Sequence, residues 1–317
     1  MAAFDKWLTG LPADATVADA ARIAIGTRSS EMASRLELAA AGVDQDREHV
    51  HQLRVASRRT AAVLKTFQKV LPERRADRLS WSARISRRAA GPARDLDVFL
   101  IRLEQENLLP GLQGRLYALR EEAQSDIVRA FVKLDGGEQV RRQAAKLVAR
   151  LPADHKQARR LSERSFADWA AERLRREADR FGKSAPAAGA PVEELHAFRI
   201  AAKRLRYALE VLAAGIGMES SKAAYSQLKK AQDRLGAIND HATWIVRLRD
   251  VIEQSRANER AGINDLIQYE EQCQSEAIAA FHKWWRPKRA AKLAGLLGQE
   301  PADDSTPETA PMPEPDA

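Results

Sequence analysis

The sequence predicts an all-α protein of two pseudo-symmetric helical bundles that arose by internal duplication. Three observations carry that reading. Helix-favouring Ala, Leu, Arg and Glu are prominent in a chain of 317 residues with only 13 prolines, and strand-type runs of Val, Ile and Thr are absent. Apolar residues recur at helical spacing between glycine and proline breaks. Finally, a shift of 145 positions superposes residues 50–59 on 195–204, with histidine, arginine and apolar positions coinciding.

In the first half, helices are expected near 16–41, 48–71, 73–90, 95–107 and 112–134, with a shorter one near 138–150. Gly42, Pro72, the Gly91-Pro92 pair and Pro110-Gly111 supply the interruptions. Gly91 suits a left-handed helix C-terminus and Asp95 the N-cap of the next helix, with Gly236 and Asp240 as their counterparts. The second half opens with a long helix near 155–182. A loop at 183–191, rich in Pro, Ala and Gly, precedes helices near 192–214, 219–235, 239–256 and 259–285.

The repeat extends beyond its first match. The same shift carries Gly91, Ala93 and Asp95 onto Gly236, Ile238 and Asp240, so His51 and His196 each stand 44 residues before an aspartate. A shift of 150 then matches Glu121, Gln124, Ser125, Ala130 and Phe131 to Glu271, Gln274, Ser275, Ala280 and Phe281. The halves are placed at 11–150 and 151–298, followed by a tail at 299–317 that holds six acids, no base and five prolines. That composition predicts disorder.

The net charge is +8 for the whole chain and +14 without those six acids, which points to an anionic partner. A solvated basic surface is the alternative that composition leaves open. The single cysteine, Cys273, excludes an intramolecular disulfide and a thiolate-rich metal site. The start, Met-Ala-Ala-Phe-Asp-Lys, lacks a basic segment followed by an apolar one, and no stretch approaches the roughly 20 apolar residues of a membrane span. A cytoplasmic protein without membrane contact is expected.

The helix from Val50 buries Val50, Leu53, Ser57, Thr60, Leu64, Phe67 and Leu71 on one stripe, and Leu195, Phe198, Ala202, Leu205, Leu209 and Leu212 repeat it. Roughly opposite lie His51, Arg54, Arg58 and Lys65, over about 21 Å. The second copy offers His196, Arg199, Lys203 and Arg206, with Tyr207 beside them; Glu210 replaces Lys65 and is placed to reach Arg206 four residues back. Like charges at three- and four-residue spacing destabilise a helix, so a nearly all-positive face, present twice, calls for a bound anion. Guanidinium groups chelate phosphate oxygens, lysine adds point charge, and histidine donates from its N–H. On the following helix Arg74, Arg78, Arg84 and Arg88 share a face with Trp81, and Lys229 is the counterpart of Arg84.

Three ordered motifs carry a family resemblance: His-x-x-Arg-Val-x-x-Arg-Arg from His51, Gly-Pro-Ala-Arg-Asp-Leu-Asp-Val at 91–98, and Leu-His-x-Phe-Arg-Ile-x-x-Lys-Arg-Leu-Arg-Tyr-x-Leu-Glu at 195–210. Together they resemble the CHAD domain, the conserved histidine α-helical domain, over most of 11–298. The resemblance implies two pseudo-symmetric bundles around a basic groove or pore that binds inorganic polyphosphate, and association with polyphosphate granules and their proteins. By motif position it assigns binding to His51, Arg54, Arg58, Arg84, His196, Arg199, Lys203 and Arg206. Ala61 and Ala62, opposite Arg206 and Tyr207, break the equivalence of the copies.

Other readings are weaker. Gly182-Lys183-Ser184 imitates the end of a P-loop but follows a helix, and Asp95-x-Asp97 lacks a second acidic pair because its counterpart is Asp240-x-Ala242. The chain is expected to be no enzyme and to need neither a cofactor nor a metal. The rivals are a nucleic-acid binder, for which Trp81 and Tyr207 are thin support, and a scaffold whose basic face docks an acidic protein.

Overall fold

The computed structural model describes residues 5–12, 14–42, 47–105, 110–253 and 255–298. The expected acidic tail, 299–317, lies outside the described residues. Among the described residues there are eleven α-helices and no β-strand: α1 (Val17–Ala40), α2 (Arg47–Phe67), α3 (Glu73–Gln105), α4 (Pro110–Lys133), α5 (Glu138–Val148), α6 (Lys156–Ser162), α7 (Phe166–Lys183), α8 (Val192–Ile216), α9 (Met218–Ile252), α10 (Ala257–Trp284) and α11 (Pro287–Leu296). None of them is long and apolar enough to cross a membrane.

Helix α1 begins at a capping box: the Asp19 N–H donates to Thr16 Oγ1 at 3.2 Å, and the Thr16 N–H donates to Asp19 Oδ2 at 3.1 Å. Its alanines let α2 and α5 pack close. In α2 the stripe Val50, Leu53, Ser57, Thr60, Leu64 and Phe67 is buried as its spacing predicts, and in α8 so is Leu195, Phe198, Ala202, Leu205, Leu209 and Leu212. Both stripes enter one core. It runs from Trp7 to Leu297 and takes side chains from both halves, with Phe67 stacked on Trp169 at 5.2 Å and Phe181 on Phe198 at 4.7 Å.

A second, smaller core joins the halves at the far ends of α3, α4, α9 and α10. There the rings of Phe99 and Trp244 meet edge-on at 4.5 Å among Leu103, Leu112, Leu248 and Ile263. Arg247 of α9 pairs with Asp95 of α3 at 3.1 Å beside it. The halves therefore touch at two levels, along α2 and α8 and at the distal ends. Between those levels lie the polar faces of α2 and α8 and the middles of α3 and α9.

The punctuation misleads at two helices. Where breaks are expected at Gly91-Pro92 and at Gly236, α3 and α9 run through, and neither glycine has a positive φ. Asp95 and Asp240 accordingly sit inside helices and cap nothing. An interior proline costs about 3 kcal/mol. Burial of Leu79, Ala83 and Ala90 before Pro92 and of Phe99, Leu100 and Leu103 after it offsets that cost, at about 1.5–3 kcal/mol for each large side chain. Conversely, the expected helix at 155–182 is divided into α6 and α7. Between them Val17 N–H donates to Arg164 O at 3.0 Å and Phe166 N–H to Ala15 O at 2.9 Å, so the chain gives up helical bonds to tie the starts of α1 and α7 together.

Candidate anion-binding groove

Burial of the apolar stripes turns the basic side chains of α2 and α8 toward each other. His51, Arg54 and Arg58 on α2, and Arg199, Lys203 and Arg206 on α8, are all half-buried. The charge of Arg58 acts across the half boundary on both Arg199 and Lys203, and Arg206 also acts on Lys203. Burial first, then these three guanidinium groups, lower the Lys203 pKa from 10.5 to about 8. Burial and like charge both disfavour the ammonium form there.

Helix α3 closes one side. Gly91 faces Arg54 so closely that a Cβ there would lie 3.2 Å from Arg54 Nη1. Arg87 and Arg94 act on Arg54, and burial followed by Arg94 lowers the His51 pKa, which keeps that imidazole neutral and donating from one N–H at pH 7. Helix α9 closes the other side. The carbonyl of Asn239 accepts from His196 Nδ1 at 3.1 Å and from Arg199 Nη1 at 3.4 Å, leaving His196 Nε2 at the exposed rim. Three carboxylates reach the cluster: Glu48 acts on His51, Asp95, already paired with Arg247, acts on Arg54, and Asp240 acts on Arg199 and Lys203. Seven cations thus converge against three acids. Arg199 and Arg206 each keep a buried Nε–H without a hydrogen-bond partner, a donor an anion would satisfy.

The acid expected to neutralise α8 does something else. Glu210 accepts from Arg59 Nε at 2.9 Å and from the Tyr225 hydroxyl at 3.2 Å, and Arg59 reaches Glu31 at 3.3 Å. Glu31 in turn holds the fully buried Arg28 at 3.0 Å. This buried chain of charges ties α1, α2, α8 and α9 together and leaves Arg206 without Glu210. Arg206 instead donates to the Tyr225 hydroxyl at 3.3 Å and lies over the rings of Tyr207 and Tyr225.

The remaining expected residues stand apart. Lys65 is exposed in a cleft between α2 and the start of α3, with Glu73 and Asp77 beside it. Arg84 lines a different cleft, between α3 and α5. Arg88 of α3 and Lys229 of α9 are exposed. Sequence reading missed Arg87, Arg94, Asn239 and Tyr225. Arg87 and Arg94 did carry a signal, since they bracket the Gly91-Pro92 segment on the same helix.

Neither decoy forms a site. Ser184 closes the C-terminus of α7 by donating to Phe181 O at 2.7 Å, and Asp97 is fully buried against Arg120 at 2.6 Å, away from the exposed Asp95. No group of His, Cys, Asp and Glu suited to a metal ion occurs among the described residues.

Comparison with known proteins agrees with this architecture. The CHAD domain family profile matches residues 23–249. The structure is similar to the crystal structure of the CHAD domain from the plant Ricinus communis, with a TM-score of 0.61 at 23% identity over 94% of this chain and 96% of that one. It is also similar to PptA from Streptomyces chartreusis, with a TM-score of 0.59 at 17% identity over 86% of this chain and 99% of that one. At those identities the likeness concerns the fold. No curated protein sequence matches significantly. A two-level, all-helical fold with a basic groove between its halves defines a class of helical modules, and the chain belongs to the CHAD domain family.

Proposed function

We propose that this protein binds inorganic polyphosphate along the groove between α2 and α8 and catalyses no reaction on it. The convergence of cations from both halves on Lys203, with its pKa at about 8, carries the reading. A polyphosphate chain offers charge at regular short intervals, which suits a linear series running from Arg94 and His51 through Arg54, Arg58, Arg199 and Lys203 to Arg206. The two halves act as copies of one duplicated unit, each contributing a basic face. In a cell the protein would sit in the cytoplasm and join polyphosphate granules through this groove.

Nucleic acid is the weaker partner for the same groove. Base stacking needs an accessible aromatic face, whereas Tyr207 and Tyr225 are covered by Arg206, and Trp81 lies in the α3–α5 cleft. Affinity measured against chain length tests the proposal. It should rise steeply from pyrophosphate to long chains, because each further phosphate engaged releases condensed counterions, and DNA at matched phosphate concentration should compete poorly. Preference for DNA, or enzyme-dependent release of phosphate, would overturn it.

A further inference from the structure

We propose that the cleft between α3 and α5 is a second anion site, independent of the groove, for a short linear phosphoanhydride of a few phosphates. The cleft encloses about 670 Å³. Arg75, Arg78 and Arg84 line its α3 wall, and Arg142 and Lys146 its α5 wall. Asp77 is the one carboxylate among the lining side chains. Arg78, Arg84 and Lys146 make no ion pair among the described residues, and Arg142 holds Asp135 only through a solvent-exposed contact at 2.6 Å, a pairing that is weak and readily exchanged.

Packing makes the cleft a built feature. The Ser82 hydroxyl donates to Gln143 at 2.8 Å and fixes α5 on α3. Trp81 packs on the main core beneath the lining cations, with the Lys133 ammonium 5.2 Å from its ring centre. Helix α5 also sorts its charges. Arg141 turns toward α1 and is satisfied by Glu37 and Glu138, each at 2.6 Å, whereas its neighbour Arg142 and Lys146 face the cleft. Like charges at positions 75 and 78 and at 142 and 146 oppose helix formation, and a concave wall concentrates their field on whatever anion enters.

Dimensions select the ligand. The basic edge from Arg75 to Arg84 runs about 13 Å and the facing Arg142–Lys146 edge about 6 Å. A few phosphates span such a cleft, and a long polymer gains nothing further from it. Arg78 and Lys146 act on none of the cations described in the α2–α8 groove, so variants at those two positions should separate the sites.

Isothermal titration of the full chain with tripolyphosphate, in low salt, tests this. Arg199→Glu with Lys203→Glu should leave one class of tripolyphosphate sites intact. Adding Arg78→Glu and Lys146→Glu to that protein should weaken the remaining binding about tenfold or more, the scale of two lost charge-assisted contacts. Arg78→Gln with Lys146→Gln should act in the same direction and guards against misfolding by charge reversal. In an otherwise unchanged protein the cleft pair should spare long-chain affinity, which separates this proposal from the groove reading. A nucleoside triphosphate should match tripolyphosphate, since the phosphate chain is what the cleft recognises. Loss of all tripolyphosphate binding in the groove variant, persistence of it in the combined variant, or binding of the nucleotide alone would each overturn the second site.

Discussion

Polyphosphate binding in the proposed groove should be proton-linked through Lys203. In the free protein its pKa is about 8 against 10.5 for an ordinary lysine. A phosphate placed against the ammonium adds an attraction that opposes both the burial and the neighbouring cations, so the bound-state pKa rises toward the ordinary value. Below the free-site value the amine is charged in both states and affinity is at its full level; as pH rises through it, binding must take up a proton and weakens. With those two pKa values, linkage predicts about a tenfold loss of affinity between pH 7 and pH 9, and uptake of about 0.9 proton per groove at pH 9. Titration in two buffers of different ionisation enthalpy measures the uptake directly. Lys203→Gln should lower affinity at pH 7 and flatten the profile. The same depression destabilises the free fold. The folded-state pKa lies below the unfolded one, so the cost is full below about pH 8 and disappears as pH rises toward 10.5. Lys203→Met should accordingly stabilise the free protein at pH 7 by roughly 1–2 kcal/mol after allowance for solvent screening. An affinity that is flat from pH 7 to 9, or a Lys203→Gln profile that still falls tenfold, would refute the reasoning.

Two further outcomes follow from the packing. Arg59→Ala strands Glu210 in the buried charge chain and removes one of the two arginines on Glu31. It should cost about 3–5 kcal/mol, seen as a large fall in the thermal midpoint, whereas Arg58→Ala, one position earlier, should lower polyphosphate affinity with little loss of stability. Gly91→Ala places a methyl 3.2 Å from Arg54 Nη1, whereas a Cβ at Gly236 meets nothing within 4 Å. Both should gain up to about 1 kcal/mol of helix stability, read from thermal unfolding, but Gly91→Ala alone should weaken anion binding.

Periodicity made most of the fold legible. The stripes of α2 and α8 follow from apolar spacing alone, and the charges opposite them include His51, Arg54, Arg58, Arg199, Lys203 and Arg206, side chains that the structure brings near one another. Local punctuation was less reliable. Gly91-Pro92 reads as a break, yet tertiary burial on both sides of it keeps α3 continuous, and the glycine serves as room for Arg54. Glu210 shows the second kind of failure. Its sequence neighbour at helical spacing is Arg206, but its partner is Arg59, 151 residues away, because the halves pack α8 against α2. Arg84 lines a cleft with α5, a neighbour that no spacing within α3 discloses.

In the proposed function both halves supply one anion path. Replacing Arg54, Arg58, Arg199 and Lys203 together by Glu, and measuring affinity for long-chain polyphosphate alongside circular dichroism, tests it most directly. Each pair alone should lower both the affinity and its salt dependence. The combined variant should lose the groove's long-chain binding while remaining helical, and a helical combined variant with normal long-chain affinity would contradict the account.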